Sequence, residues 1–462
     1  MRYCSIFSTK HPNHNNIKFP FIFLYVLLVT TSCCYKPSVV NNYHLNVAPE
    51  IRRPAFWISQ LSAPDSVIMN SEQIKAFNSN IANKKLVMQM DRDIIMKIKK
   101  EALKKDMLSM YDYISKKKLY NENGNLLQNA YYKKIYENMN INNISNNKSF
   151  AFIIKFSNQH LIPSDERLFD NPNYQYFDRN QNNGLDIGEP VVIVHTSYDN
   201  KWKFVMSKYS SGWVRSDNVV KIDYSDIALI DKVNFIVITE YKADLYEDPL
   251  LKNYFATTRM GNRYILTGSY NDYYELLIPQ INIKNYLYYK KVYIDKRDAH
   301  VGYLPFTQRN ALLQAFKLLN TPYGWGDMAQ EQDCSKFLQE VFLTFGITLP
   351  RNSSGQAKSG YNIYLRDKKK GILRDIVQKD LKAGVTTIQM PGHIMLYIGE
   401  YKDEHYVIHD LFGATIKRNN KLYNLIINKV EVTPLSLGKE TKSGSFIDRI
   451  RSINLIKEAS FE

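Results

Sequence analysis

Hydrophobic residues recur every three or four positions shortly after residue 333, which is the spacing of one helix face. The residues on this face are Phe337, Leu338, Val341, Phe342 and Phe345. Gly346 stands where such a helix is expected to stop, and Cys334 falls in its first turn. The peptide dipoles of a first turn favour negative charge and lower the pKa of a thiol. The pattern predicts either a nucleophilic cysteine or a small buried residue at a helix start.

Two apolar runs, residues 391–399 and 406–409, predict a β-hairpin with a polar turn between them. If His393 pairs directly with His409, the two imidazoles share one face of the hairpin, with Cβ atoms roughly 5 Å apart. One imidazole can then accept a thiol proton while the other fixes its tautomer. A register shift of one residue would send one histidine to the opposite face.

The first half of the chain predicts helices followed by many short strands. Asn70 and Gln73 have the spacing of a capping box, and the apolar pattern of residues 91–118 indicates a longer helix. The asparagine-rich residues 139–149 are typical of a linker. After them, short β runs alternate with turn residues up to about residue 303, which predicts small barrels or sandwiches.

The segment DCSKFLQEVFLTFGITLPRNSSGQ, followed by GHIMLYIGE and VIH, closely resembles the NlpC/P60 cysteine peptidases, which cut peptide cross-bridges of bacterial cell walls. The resemblance implies that Cys334 is the nucleophile, His393 the general base and His409 the orienting residue. A YGWG motif at residues 323–326 resembles the family's entry to this core. The substrate-binding residues implied in this region are Asp333, Ser335, Arg351, Ser353, Ser354, Tyr323 and Trp325.

The sequence preceding this core resembles one multi-domain branch of the same family. FDRNQNNGLDIGEPVVIVHTSYDNKWKFV with SSGWV resembles its first bacterial SH3-like domain, residues 226–303 resemble its second, and the segment around Trp57 resembles its N-terminal helical clip. In that branch the first SH3-like domain helps to recognise the free amino end of the peptide. The candidate residues for that surface are Asp178, Gln181, Tyr209 and Trp213. The alternative is that Asp178 caps a turn and Trp213 belongs to the core.

The expected fold class is therefore α+β and multidomain. A papain-like NlpC/P60 catalytic domain follows two small all-β SH3-like barrels and an N-terminal helical segment. The expected boundaries are 1–33 for a signal peptide, 34–149 for the helical clip and linker, 150–225 and 226–303 for the two SH3-like domains, 304–440 for the peptidase domain and 441–462 for a C-terminal tail.

Composition bears on location and partners. Lysine and arginine outnumber acidic residues to give a net charge of +16, but no nucleic-acid-binding motif occurs in the 462 residues. An anionic membrane surface or cell-wall polymer is the better candidate partner, unless the bias has no partner at all. A basic leader, an apolar stretch at residues 19–30 and small residues before Cys33 indicate export. They resemble a lipoprotein signal with Cys33 as the lipidated residue, and simple secretion is the alternative.

The resemblance implies an endopeptidase that cuts the γ-D-glutamyl–diamino acid bond of murein peptides, on fragments with a free N-terminal L-alanine, through a thioester. We expect a monomer of the cell envelope that needs neither cofactor nor metal, because Cys334, His393 and His409 lack a fourth ligand at zinc-like spacing. Two alternatives stay open. One is a cell-wall-binding lipoprotein without turnover, and the other is an acyl transferase or amidase that uses the same cysteine and histidine.

Overall fold

The computed structural model of the chain describes residues 38–41, 47–230, 233–284, 286–365 and 381–457. The expected signal peptide and the lipidation at Cys33 lie outside these residues. None of the helices within them is long and apolar enough to cross a bilayer. The helices are α1 (Pro54–Ile58), α2 (Ser71–Asn83), α3 (Arg92–Met96), α4 (Lys100–Ser115), α5 (Asn129–Asn138), α6 (Tyr224–Ile230), α7 (Gln308–Lys317), α8 (Cys334–Leu343) and α9 (Ser353–Gln356).

Most of the strands form three seven-stranded sheets, and β17 pairs with β2 as a separate ribbon. The strands before residue 225 are β1 (Ser38–Asn41), β2 (Val67–Met69), β3 (Ser149–Ile153), β4 (Ser157–His160), β5 (Gln181–Leu185), β6 (Pro190–Thr196), β7 (Trp202–Met206), β8 (Ser211–Arg215) and β9 (Val219–Lys221). Those that follow are β10 (Phe235–Ile238), β11 (Lys242–Tyr246), β12 (Tyr254–Arg259), β13 (Arg263–Ser269), β14 (Tyr273–Ile281), β15 (Leu287–Asp295) and β16 (Ala299–Val301). The last are β17 (Phe306–Thr307), β18 (Tyr361–Tyr364), β19 (Thr386–Met390), β20 (His393–Tyr401), β21 (Glu404–Arg418), β22 (Lys421–Pro434) and β23 (Ser452–Leu455).

The first and second barrels, made of β3–β9 and β10–β16, share one topology. The first sheet has the order β5-β4-β8-β7-β6-β3-β9, and the second has the order β12-β11-β15-β14-β13-β10-β16. If the strands of each sheet are numbered from one to seven along the chain, both orders become 3-2-6-5-4-1-7. The prediction of two small β units in succession is confirmed, and the second is a topological repeat of the first.

The third sheet has the order β1-β22-β21-β20-β19-β23-β18, with α8 packed against β20 and β21. One expectation fails here, because residues 441–457 of the expected C-terminal tail belong to the folded domain. Strand β23 lies inside the sheet, between β19 and β18, and Ile453 is fully buried. Its backbone completes the hydrogen-bond ladders of both neighbours, so the domain extends past the expected boundary at residue 440.

The N-terminal helical segment divides between two cores. Trp57, Phe77 and Ile81 pack in the same cluster as α8, whereas Leu103 and Met107 pack with the first barrel. The capping box at Asn70 and Gln73 is present at the start of α2. The long helix predicted for residues 91–118 is instead interrupted between α3 and α4.

Candidate active site

Cys334 is the first residue of α8, and Asp333 caps that helix. The Oδ1 atom of Asp333 accepts hydrogen bonds from the backbone N–H groups of Ser335 and Lys336, at 3.0 and 2.9 Å. The prediction that the cysteine lies in the first turn is confirmed. The cap uses two of the first three N–H groups of the helix, so only that of Cys334 is left to face an incoming group.

The thiol environment differs from the expectation of a lowered pKa. Burial raises the pKa of Cys334, and the carboxylates of Asp333 and Asp410 raise it further. A hydrogen bond from the N–H of Ile394 and the positive charge of Arg351 both lower the pKa of Cys334, but their effects are smaller than that of burial. The helix dipole is therefore outweighed by loss of solvent and by nearby negative charge, and the resting group is a thiol.

The two predicted histidines are in contact. Nε2 of His393 lies 2.6 Å from Nδ1 of His409, and Nε2 of His409 lies 2.9 Å from Oγ1 of Thr433. Burial lowers the pKa of His393 to about 3 and that of His409 well below its ordinary value, so both imidazoles are neutral. Because the N–H that donates to the thiol belongs to Ile394, the first residue after His393, the histidine chain starts beside Cys334.

A cavity of about 640 Å³ opens onto this thiol. Its lining contains nine of the residues predicted as the nucleophile or as substrate contacts. The nine are Gln181, Tyr209, Tyr323, Trp325, Asp333, Cys334, Ser335, Arg351 and Ser353. A cavity of this size, shared between two folded units, is typical of a small-molecule or short-peptide site.

Three predicted binding residues do not line the cavity. Trp213 is fully buried in the core of the first barrel, 5.4 Å from the ring of Phe204. Asp178 is buried and accepts hydrogen bonds from the N–H groups of Leu168 and Asn180. Ser354 is exposed, and its hydroxyl donates to Asn352. The first two are therefore a core residue and a turn cap, the alternatives that the sequence left open.

Two sequence models of known domains match this chain. Residues 167–215 match the SH3 domain of SH3b1 type, and residues 320–430 match the NlpC/P60 family. The chain carries an NlpC/P60 domain. An SH3b-type domain precedes it in the chain, so the resemblance seen in the sequence is confirmed for both stretches.

Two curated relatives and one solved structure extend this result. The chain is 26% identical over 178 residues to a γ-D-glutamyl-L-lysine dipeptidyl-peptidase of Bacillus cereus, and 33% identical over 88 residues to a protein of the same name from Bacillus subtilis. These matches cover 37% and 19% of the chain, and they span 49% and 28% of the relatives. An NlpC/P60 endopeptidase structure from Photobacterium damselae subsp. piscicida superposes with a TM-score of 0.76 at 19% identity, over 92% of this chain and 99% of that one. That likeness shows a shared fold.

Part of the cavity wall that faces the NlpC/P60 domain was not predicted from the sequence. Helix α4 contributes Ser109, Met110 and Tyr113, and the first barrel contributes Arg179 and Asn182. The α4 residues lie more than two hundred positions before the thiol, and no local pattern links them to it. The aromatic residues near Arg179 were the available sequence signal for this part of the cavity wall. Tertiary packing decides which side chains they contact, so the signal was not sufficient.

A buried ion network joins the NlpC/P60 domain to both barrels. Asp327 contacts Arg351 at 2.9 Å and Arg259 of the second barrel at 3.5 Å. Arg259 also contacts Asp186, next to β5 of the first barrel, at 2.7 Å, and Glu340 of α8 at 3.3 Å. All five side chains are almost fully buried. Because a buried charge needs its partner, the network fixes the position of each barrel against the cavity.

Proposed function

We propose that this chain is a cysteine endopeptidase that hydrolyses the γ-D-glutamyl–diamino acid bond of peptidoglycan peptides. The observation that carries the proposal is the thiol of Cys334 in a lined cavity, beside the hydrogen-bonded chain of His393, His409 and Thr433. The proposed scissile bond is inferred from the names of the Bacillus relatives. The proposed substrate polymer is inferred from the NlpC/P60 domain. The proposed location of the protein is the cell envelope.

The histidine chain is suited to deliver a base to the thiol. If the hydroxyl of Thr433 accepts from Nε2–H of His409, then Nδ1 of His409 accepts from Nε2–H of His393. This arrangement leaves Nδ1 of His393 without a proton, and no described residue hydrogen-bonds to it. Its lone pair is then available for the proton of Cys334.

The reaction follows in two steps. As Sγ of Cys334 bonds to the γ-carbonyl carbon, its proton passes to Nδ1 of His393, and the N–H of Cys334 donates to the carbonyl oxygen that becomes negative. The bond to the diamino acid then breaks, and its nitrogen leaves with the proton from His393. Water, deprotonated by the same imidazole, hydrolyses the thioester and restores the thiol.

The first barrel and α4 close one side of the cavity, and we propose that this wall restricts the substrate to fragments with a free N-terminal L-alanine. Besides Arg179, the barrel lines the cavity with neutral polar side chains, those of Gln181, Asn182, Tyr209, Ser210 and Ser211. Asp333, the carboxylate among the lining residues, is held by Arg351 at 2.9 Å. Neutral oxygen atoms therefore have to recognise the terminal amine.

The test is incubation of the chain lacking residues 1–33 with L-Ala-γ-D-Glu-L-Lys, its meso-diaminopimelate counterpart and the N-acetylated form of each. Mass spectrometry follows the products, with Cys334→Ala as the inactive control and Ser354→Ala as a control outside the cavity. Cleavage of the free-amine peptides alone supports both the reaction and the restriction. Cleavage of acetylated peptides as well removes the restriction. If no peptide is cut, the proposal is wrong, and wall binding or acyl transfer takes its place.

A further inference from the structure

A cationic side chain of the first barrel lies in the cavity wall without an assigned task. Arg179 lines the same cavity as Cys334, and its guanidinium lies over the ring of Trp325, 5.3 Å from the centroid. Phe177 supports the arrangement, since its ring meets that of Trp325 edge-on with centroids 5.2 Å apart. Stacking on an aromatic face holds the planar group in place and leaves its edge open to a ligand.

The charges that line the cavity do not balance. They belong to Arg179, Asp333 and Arg351. Asp333 and Arg351 neutralise each other, and both residues are buried. Arg351 is also held by Asp327 and by the side-chain oxygen of Asn183. The remaining charge on the wall is the positive one of Arg179, whose side chain is 21% exposed.

The hydrogen-bonding capacity of Arg179 is only partly used. Nε donates to Oδ2 of Asp170 at 2.6 Å, and Nη2 pairs with the same oxygen. Among the described residues, none accepts a hydrogen bond from Nη1. Asp170 is 45% exposed and lies outside the cavity lining, so water screens its charge more than it screens the guanidinium. Arg179 therefore keeps donors and positive charge for a group inside the cavity.

We propose that Arg179, held by Trp325, is a subsite for a carboxylate of the substrate. A guanidinium on a partly desolvated wall makes its strongest hydrogen bonds with such a group. The inference rests on the proposed function for the identity of the peptide, which offers two carboxylates close to the scissile bond. One is the α-carboxylate of the D-glutamyl residue, and the other is the terminal carboxylate of the diamino acid.

The test compares three forms of L-Ala-γ-D-Glu-L-Lys: the free acid, the α-amide of the glutamyl residue and the amide of the terminal carboxylate. Each is assayed for kcat/KM with the unaltered chain and with Arg179→Gln. We expect the variant to lose about 10- to 100-fold on the free acid, the range for one hydrogen bond to a charged group. On the peptide whose amide replaces the carboxylate that Arg179 recognises, the variant should lose little kcat/KM. That peptide therefore shows which carboxylate Arg179 binds.

The matched control is Arg215→Gln. Arg215 also pairs with an aspartate, Asp165, and lies over a tryptophan ring, that of Trp202 at 5.2 Å, but it does not line the cavity. Its loss is expected to leave all three values unchanged. An equal loss by Arg179→Gln on all three peptides, or no loss on any, overturns the proposal.

Two further measurements separate this proposal from the proposed function. Calorimetric binding of the free acid and its amides to Cys334→Ala reports on Arg179 even if no peptide is hydrolysed. A free-acid preference in binding that Arg179→Gln removes supports the subsite, and equal binding of all forms overturns it. If Arg179→Gln does not fold, Asp170→Asn frees Nε and Nη2 and is expected to strengthen the preference for the free acid. An unchanged preference in that variant contradicts the proposal.

Discussion

Nε2 of His393 and Nδ1 of His409 are 2.6 Å apart although the two residues do not face each other across the hairpin. Strand β20 pairs Leu396 with Ile408 and Tyr397 with Val407, so the continued register places His409 opposite Met395. The imidazoles are diagonal neighbours on one face. The prediction of direct pairing is wrong, whereas the shared face is correct, because a shift of two residues preserves the alternation of side chains.

The outer end of the histidine chain can be tested through Thr433. Thr433→Val removes the hydroxyl that lies 2.9 Å from Nε2 of His409 and keeps the side-chain shape. We expect kcat to fall about tenfold with little change in KM, because His409 loses the partner that fixes its tautomer. Steady-state assays with the tripeptide measure this.

The matched control for Thr433→Val is Thr415→Val. Thr415 also lies on the β21–β22 hairpin and donates to Asn424 at 2.8 Å, far from the thiol in the strand order. Its kcat is expected to remain unchanged. A kcat for Thr433→Val equal to that of the unaltered chain would mean that the hydroxyl does not orient His409.

The raised pKa of Cys334 predicts slow alkylation at neutral pH. Because only the thiolate reacts, we expect the rate with iodoacetamide to rise about tenfold per pH unit from pH 7 to 9. The measurement uses a chain in which Cys4, Cys33 and Cys34 are serine, so that mass spectrometry follows one thiol. A rate that is constant between pH 6 and 8 would show a preformed thiolate and restore the expectation drawn from the helix start.

The lowered pKa of His393 predicts the acid side of the activity profile. Burial holds this pKa at about 3, so the imidazole is a neutral base at every pH well above that value. We expect kcat/KM to stay level from pH 7 down to pH 5, with circular dichroism at each pH as the check on folding. A loss of half the activity near pH 6.5, the ordinary value of an imidazole, would contradict the assignment.

Local patterns predicted the elements that hold the candidate active-site residues. The helix start at Cys334, the capping box at Asn70 and Gln73, and the hairpin after Gly392 are all present. Each is encoded within a few residues of sequence, as a periodicity, a capping side chain or a turn. The positions of Cys334, His393 and His409 on these elements could be predicted for that reason.

The remaining features depend on contacts between distant segments. Asp178 and Arg179 are adjacent, yet the first caps a backbone turn and the second lines the cavity. Strand β23 lies in the interior of the third sheet, and its short sequence does not predict this position. In both cases the packing of other segments decides the role, and hydrophobic periodicity does not encode it.

The network around Asp327 predicts a stability effect. Although burial opposes ionisation, Arg351, Lys336 and Arg259 hold the pKa of this carboxyl below its ordinary value. Asp327→Asn leaves those buried cations short of a counter-charge, and we expect the free energy of unfolding at pH 7 to fall by about 3–5 kcal/mol. Urea titration measures the change.

The sign of the Asp327 effect can be checked by pH. A carboxyl whose pKa is lowered by folding stabilises the folded chain at every pH above its pKa in the unfolded chain. The difference in the free energy of unfolding between Asp327→Asn and the unaltered chain should therefore shrink as the pH falls below about 4. Asp65→Asn is the control, because Asp65 pairs with Arg309 on the surface and its loss should matter little. Equal urea midpoints for Asp327→Asn and the unaltered chain at pH 7 would show that the network is not needed for stability.

The last prediction concerns the clip segment, because Trp57 packs in the same hydrophobic cluster as Cys334. Its side chain is 1% exposed, its Nε1–H donates to the carbonyl of Ile51 at 2.7 Å, and its ring packs so closely on Gly399 of β20 that a Cβ there would lie 2.6 Å from it. Trp57→Ala should therefore lower the free energy of unfolding by about 3–5 kcal/mol. Thermal unfolding measures it, with the exposed Tyr198→Ala as control. An unchanged transition would mean that the clip rests on the NlpC/P60 domain without completing its core.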